Sequence, residues 1–230
     1  MKHTRFYAVL TGDIIKSSQL LPNQLDSVRQ SLERAIDVIN VWQRGLISGS
    51  PGFFRGDAWQ LLLTDPARAM RVGIFLRASL RTQGVADTRI AIGLGEVERI
   101  YPGKVSLSTG QAFKISGRAL DAMTQYSNLT IEIPDSSGPM RRWLPVVGHL
   151  CDSLISQWTQ RQAEVVCSAV DPHDPTHEVI ANGLRPPVTK QAVTKVLDGA
   201  KWHVIREAIH EFEEMPWSSV LNTHGDRQPE

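Results

Sequence analysis

Two aspartates, Asp13 and Asp57, are the side chains of this chain best suited to chemistry. Each follows a glycine beside an apolar run, in the stretches YAVLTGDIIKSS and FFRGDAWQLLL. Magnesium and manganese ions prefer oxygen ligands, and paired carboxylates suit two-metal phosphoryl chemistry. A purely structural interpretation competes with this one, because glycine and aspartate are also common residues of turns and hairpins.

The elements that would position these aspartates predict an α+β fold. Their order is β-α-β-β-α-β-α-β, with strands in RFYAVLTGDII, TRIAIGLGEVERI and LTIEI and a hairpin that turns at Gly56 and Asp57. Split βαβ units of this kind form a ferredoxin-like, or palm, sheet with helices on one face. The strands that carry Asp13 and Asp57 would then lie side by side at the centre of the sheet.

Three helices are predicted between these strands. The first runs from Leu25 with apolar residues at helical spacing, and the second starts at Pro66 and ends near Gly84. Ser108 or Thr109 caps the third.

Composition limits the function classes. The chain has 230 residues, enough for a sizeable core, and its net charge of +1 gives no global attraction to nucleic acid or anionic membrane. Two cysteines, Cys151 and Cys167, make no disulfide framework. The N-terminal stretch lacks the apolar core of a signal peptide, and no run approaches the length of a membrane span. We therefore expect a soluble cytoplasmic protein that does not contact a membrane.

Four motifs resemble, in order and spacing, the core motifs of class III nucleotide cyclases: YAVLTGDIIKSS, FFRGDAWQ, RIAIGLGEV and GQAFKISGRAL. The resemblance covers residues 5 to 125. It implies a nucleotide-cyclase-like palm domain that binds a nucleoside triphosphate with two Mg²⁺ or Mn²⁺ ions. The implied metal ligands are the carboxylates of Asp13 and Asp57 and the backbone carbonyl of Ile14.

The same resemblance assigns residues to the substrate. Arg118 matches the arginine that steadies the triphosphate, and Lys114 stands where the family carries an asparagine. Purine-specific members read the base at places that fall near Phe53 and Leu107. Both residues are apolar, so we expect weak discrimination among bases. Because class III sites form between two chains, the resemblance also implies a homodimer in which Arg118 faces the aspartates of the partner chain.

The C-terminal part predicts helices alone. Thr159 and Gln162 make a capping box, Thr176 caps a short helix, and Thr189 caps a long one in TKQAVTKVLDGAKWHVIREAIHEF. These helices resemble a helix-turn-helix of the sigma-factor and LuxR-like kind, which reads double-stranded DNA with its second helix. The alternative is a three-helix bundle that packs on the palm domain or forms a dimer.

The helix-turn-helix resemblance implies a set of DNA-contacting residues at the second helix and the turn before it. They are Arg185, Lys190, Gln191, Thr194, Lys195 and Lys201. The predicted domains are a palm domain over 1–138, a helical domain over 139–216 and a flexible tail over 217–230.

The two halves together resemble the SatD family of small bacterial proteins. Three hypotheses follow. The favoured one is a ligand-responsive regulator, in which a nucleotide- and metal-binding domain is coupled to DNA binding. The second is an active nucleotidyl cyclase or nucleotidyltransferase whose tail controls dimerisation, and the third is a scaffold with an inactive site.

Overall fold

The computed structural model describes residues 5–54, 56–84 and 86–222. The strands are β1 (Phe6–Ile14), β2 (Gly52–Phe54), β3 (Ala58–Leu63), β4 (Thr88–Arg99), β5 (Thr109–Gly110) and β6 (Leu129–Glu132). The helices are α1 (Pro22–Trp42), α2 (Ala69–Arg81), α3 (Gln111–Ala122), α4 (Met140–Ile155), α5 (Gln160–Ala169), α6 (His177–Gly183), α7 (Lys190–Gly199), α8 (Trp202–Glu214) and α9 (Trp217–Leu221).

The sheet has the order β2-β3-β1-β4, antiparallel throughout, and β4 also pairs with β5 and, in parallel, with β6. Strands β1 and β2 flank β3, which is the split βαβ arrangement. The mixed α+β fold and the predicted order of strands and helices are confirmed, with the two-residue strand β5 as an addition.

Helices cover both faces of this sheet. Successive residues of a strand point to opposite faces of the sheet. On one face, Leu10 and its same-face neighbours pack against α1 and α2. Gly73 of α2 lies against Ile92 of β4, and its lack of a side chain allows this close approach. On the other face Val9 packs with Ala112 and Phe113 of α3. The prediction that the helices share one face is therefore wrong, because both faces of β1 carry apolar residues that need cover.

The C-terminal helices pack on the palm-like part of the chain. Helix α4 lies along β6, where Gly148 is close to the backbone of Leu129, and so it covers an otherwise open strand edge. Helix α5 packs on α2 and on α7. None of the helices within the three described ranges is long and apolar enough to cross a membrane.

The long helix expected after Thr189 is two helices, so that prediction is wrong. Lys201 has φ +55°, in the left-handed region, and it separates α7 from α8. Trp158 donates its indole N–H to the carbonyl of Ala200 at 2.9 Å, which holds the bend against the rest of the protein. A tertiary contact has overridden a continuous helical pattern.

One hydrophobic cluster contains residues from both sides of the expected boundary at 138/139. Residues 217–221, expected to be part of a flexible tail, form α9 and bury Trp217 and Leu221. The expectation is wrong for this segment, because its apolar side chains complete the core. Residues 223–230 of that tail lie outside the described residues.

Candidate functional site

Asp13 and Asp57 lie side by side. Asp13 is opposite Ala58 in the pairing of β1 with β3, and the N–H of Ile14 donates to the carbonyl of Asp57 at 3.2 Å. Gly56 has φ +90°, a conformation that favours glycine, and it turns the hairpin so that Asp57 follows directly. The sequence-based expectation that these two strands are neighbours is confirmed.

The two aspartates open into a cleft of about 500 Å³ between the sheet and the C-terminal half of α3. Asp13 and Thr11 are alternate residues of β1 and so share one face of the sheet, and Thr11 contacts Ser116 of α3. The cleft is therefore on the α3 face. Its lining residues are Thr11, Asp13, Phe54, Asp57, Ala58, Gln60, Arg89, Gly117, Leu120 and Asp121.

Buried polar side chains form the floor of this cleft. Gln60 donates from Nε2 to Oγ1 of Thr11 at 3.0 Å, and the Thr11 hydroxyl lies 2.8 Å from that of Ser116 on α3. Paired polar groups of this kind hold side chains in one arrangement. Sequence reasoning missed Gln60 and Thr11; the signal was a polar residue at one alternate position of an otherwise apolar strand.

Two side chains already hold the carboxylates. Arg89, opposite Asp13 in the pairing of β1 with β4, donates from Nε to Oδ1 of Asp13 at 2.8 Å and from a terminal nitrogen to Oδ2. Ser17 donates its hydroxyl to Oδ2 of Asp57. The hydrogen bond to Asp13 raises the pKa of Arg89 against the opposing effect of burial, and the charges of Asp13, Asp57 and Asp121 add to the increase. Sequence reasoning missed Arg89 as well.

The two aspartate carboxylates fit a divalent cation that binds together with the phosphate groups of a ligand. Within residues 5–54, 56–84 and 86–222, no three acidic, histidine or cysteine side chains are grouped closely enough to hold a metal. Magnesium commonly takes only one or two carboxylates and completes its shell with water and substrate phosphates. Asp13 and Asp57 match that pattern, and Ile14 can contribute only its backbone carbonyl because its hydrocarbon side chain has no ligand atom. The two-ion site stays a prediction.

Lys114 and Arg118 lie in a different cleft from the aspartates. They line a cavity of about 600 Å³ with Glu132 and Arg141. Lys114 is exposed and its Nζ lies 3.5 Å from Glu98. Within one chain the structure does not bring these residues to the aspartates, so a shared site needs a second copy. The homodimer stays a prediction.

Of the two expected base-contacting residues, neither lines the cleft of the aspartates within the described part of the chain. Phe53 shares a sheet face with Trp59 and packs against the main core, while its neighbour Phe54 lines the cleft. Leu107 is 56% exposed on a short turn before β5. The residue of β2 that lines the cleft is therefore one position after the expected Phe53, and a shift of one residue along a strand moves the side chain to the other face of the sheet.

The expected DNA-contacting residues are mostly free to reach a partner. Thr194 is the exception, because its hydroxyl contacts the carbonyl of Lys190 at 3.1 Å and Nδ1 of His177 at 2.8 Å. The exposed members are Arg185, Lys190, Gln191, Lys195 and Lys201. Lys201 lies outside α7, at the bend before α8.

No protein-family model and no curated protein matches this chain. Among solved structures it is similar to the guanylyl cyclase Cya2, with 20% sequence identity over 56% of this chain and 74% of that chain, at a TM-score of 0.38.

Proposed function

We propose that the cleft at Asp13 and Asp57 binds the phosphate groups of a nucleotide together with a divalent cation. The observation that carries the proposal is the antiparallel pairing of β1 with β3, which sets the two carboxylates at one end of a cleft of about 500 Å³. Clefts of roughly 300–1,000 Å³ hold small ligands.

The chemistry of the lining supports this ligand class. Carboxylates attract the cation, the cation attracts phosphates, and Phe54 offers an aromatic face on which any base can stack. The motifs that resemble those of class III nucleotide cyclases imply the same ligand. Because stacking tolerates every base, the weak base discrimination expected from the sequence is retained.

Calorimetric titration tests this proposal. ATP, GTP, CTP and UTP are titrated separately into the protein, with Mn²⁺ and again with a chelator. We expect binding in Mn²⁺ that the chelator weakens, with affinities for the four nucleotides within about tenfold of one another, about 1.4 kcal/mol. Absence of heat with every nucleotide in Mn²⁺ would refute the proposal.

A cyclase is the second candidate function. Its support is the pair of cationic side chains, Lys114 and Arg118, that line one cleft on α3 and could face the aspartates of a second copy. Incubation with each nucleoside triphosphate and Mn²⁺, followed by mass spectrometry, tests it. A cyclic product that disappears in Arg118→Ala supports the enzyme, and recovery of intact triphosphate rejects it.

Coupling to DNA is the remaining part of the proposal, and exposed Lys190, Gln191 and Lys195 in the first half and middle of α7 support it. The solvent face of α7 also carries Asp198, so the attraction to phosphate is local. About four neutralised phosphates per chain would give a slope of log affinity against log salt near −3 to −4.

Fluorescence anisotropy with promoter fragments at several salt concentrations measures that slope. Replacing Lys190 and Lys195 together by alanine should reduce it, whereas Gln191→Ala should relax sequence preference. If no binding is detected at low salt, with or without nucleotide, the helical part serves as a packing module.

A further inference from the structure

The guanidinium of Arg89 donates hydrogen bonds to both carboxylate oxygens of Asp13. The two residues are direct partners in the pairing of β4 with β1, so their side chains stand on the same face of the sheet. The guanidinium makes a two-point contact, from Nε to Oδ1 at 2.8 Å and from a terminal nitrogen to Oδ2. A planar fork that matches a carboxylate in this way forms a strong and geometrically specific ion pair.

The position of Arg89 suits a cation that stands among carboxylates. Asp57 and Asp121 line the same cleft, and their charges act on Arg89 together with that of Asp13. The side chains of Arg89 and Asp13 are 32% and 22% exposed, so solvent screens their pair only in part. Arg89 therefore supplies the positive charge that a metal ion would otherwise bring to this end of the cleft.

We propose that Arg89 is an internal competitor of the divalent cation and makes cation binding depend on nucleotide phosphate. This inference rests on the proposed function of the cleft. The cation and the guanidinium need the same oxygens of Asp13 and repel each other, so the cation must displace Arg89. In the absence of nucleotide, the displaced guanidinium has lost its two-point partner.

A bound nucleotide supplies a new partner for the displaced guanidinium of Arg89. Its phosphate oxygens accept two hydrogen bonds from an arginine fork as a carboxylate does. The cation then binds the carboxylates of Asp13 and Asp57 while Arg89 binds phosphate, so both Asp13 and Arg89 keep a partner of opposite charge. Free cation consequently binds weakly, nucleotide strengthens cation binding, and by linkage the cation strengthens nucleotide binding by the same factor.

The test titrates Mn²⁺ alone into the full chain and follows unbound Mn²⁺ by electron paramagnetic resonance. Arg89→Met should bind free Mn²⁺ about tenfold more tightly than the wild type, which equals about 1.4 kcal/mol. Arg89→Lys keeps the positive charge but cannot make the two-point contact, so its affinity for free Mn²⁺ should lie between those of the wild type and Arg89→Met. Arg99→Met is the matched control, because Arg99 lies on the same strand, is exposed and contacts the ring of Tyr101, and it should leave the affinity unchanged.

A second measurement separates this inference from the function on which it rests. Nucleotide affinity is measured by calorimetry with and without Mn²⁺, and the strengthening by Mn²⁺ should shrink in Arg89→Met. If wild type binds nucleotide with Mn²⁺ but neither Arg89 variant binds free Mn²⁺ more tightly, Arg89 is no competitor and the nucleotide site stands. If no variant binds Mn²⁺ and the wild type binds no nucleotide, both proposals fail.

Discussion

Arg71 and Glu213 join α2 to α8 through a two-point ion pair, with nitrogen–oxygen distances of 2.6 and 2.8 Å. The remaining terminal nitrogen of Arg71 donates to the carbonyl of Val170 at 2.8 Å, beyond the end of α5. Both side chains are close to 90% buried. The pair thus ties the palm-like part of the chain to its C-terminal helices.

A double-mutant cycle with Arg71→Met and Glu213→Gln should show a coupling free energy of about 1–3 kcal/mol. The physical reason is that a forked pair shielded from water is screened little. Arg206 and Asp174 provide the control pair, at 2.7 Å but with both side chains more than half exposed, and their coupling should stay below about 1 kcal/mol. Chemical denaturation of each single and double variant measures both values. Equal coupling in the two pairs would contradict the expectation.

Arg77 is fully buried between Asp87 and Asp152, at 2.6 Å from each. Arg77→Met should lower the free energy of unfolding by about 3–5 kcal/mol, because it removes the cation that two carboxylates in the protein interior share. Arg161→Met removes a half-exposed pair with Glu164 and should cost less than about 1 kcal/mol. Urea denaturation compares the two, and a similar loss in both would count against a structural role for the buried cluster.

The same cluster predicts a pH dependence. Burial raises the pKa of Asp87, but the charge and hydrogen bonds of Arg77, with further hydrogen bonding from Thr88, lower it overall below its ordinary 3.8. A carboxyl with a lowered folded-state pKa stabilises the protein above the unfolded pKa and stops doing so as pH falls through the folded value. The stability gap between wild type and Arg77→Met should therefore narrow on acidification below about pH 4. A gap that widens there would contradict this assignment.

Local patterns predicted the elements and the meeting of the two aspartates. Apolar residues at alternate positions mark the strands, and a glycine before Asp57 marks the turn, so the order of elements and the neighbouring strands are confirmed. A glycine was needed there because Gly56 has a positive φ. These signals need only a few neighbouring residues, and they do not depend on distant contacts.

Features that depend on distant contacts were missed. The pairing of Arg89 with Asp13 joins residues far apart in the sequence, and the bend at Lys201 is held by Trp158.

The expected cap of α3 at Ser108 or Thr109 is wrong, because Gly110 occupies the cap position and the Ser108 hydroxyl accepts from the N–H of Tyr101 at 2.9 Å.

Gly12, between the cleft residues Thr11 and Asp13, has no room for a side chain. A Cβ there would lie 2.5 Å from the carbonyl oxygen of Arg89 and from the ring of Trp59. Gly12→Ala should therefore cost about 1–3 kcal/mol of stability. Gly103→Ala, where a Cβ meets nothing within 4 Å, is the control and should change stability by less than about 0.5 kcal/mol. Thermal unfolding checks both, and a neutral Gly12→Ala would refute the close packing.

The carboxylate pair itself is the final prediction. Asp13→Asn and Asp57→Asn keep the size of each side chain but remove the charge that a divalent cation requires. Each should weaken Mn²⁺-dependent nucleotide binding by about tenfold or more, about 1.4 kcal/mol. Glu98→Gln is the matched control, because Glu98 is exposed, contacts Lys114 and does not line this cleft.

The most direct measurement is a calorimetric titration of nucleoside triphosphate, in Mn²⁺, into wild type, Asp13→Asn, Asp57→Asn and Glu98→Gln. Wild type and Glu98→Gln should bind alike, and both aspartate variants should bind at least about tenfold more weakly. Equal affinity in all four proteins would contradict the proposed function of the cleft.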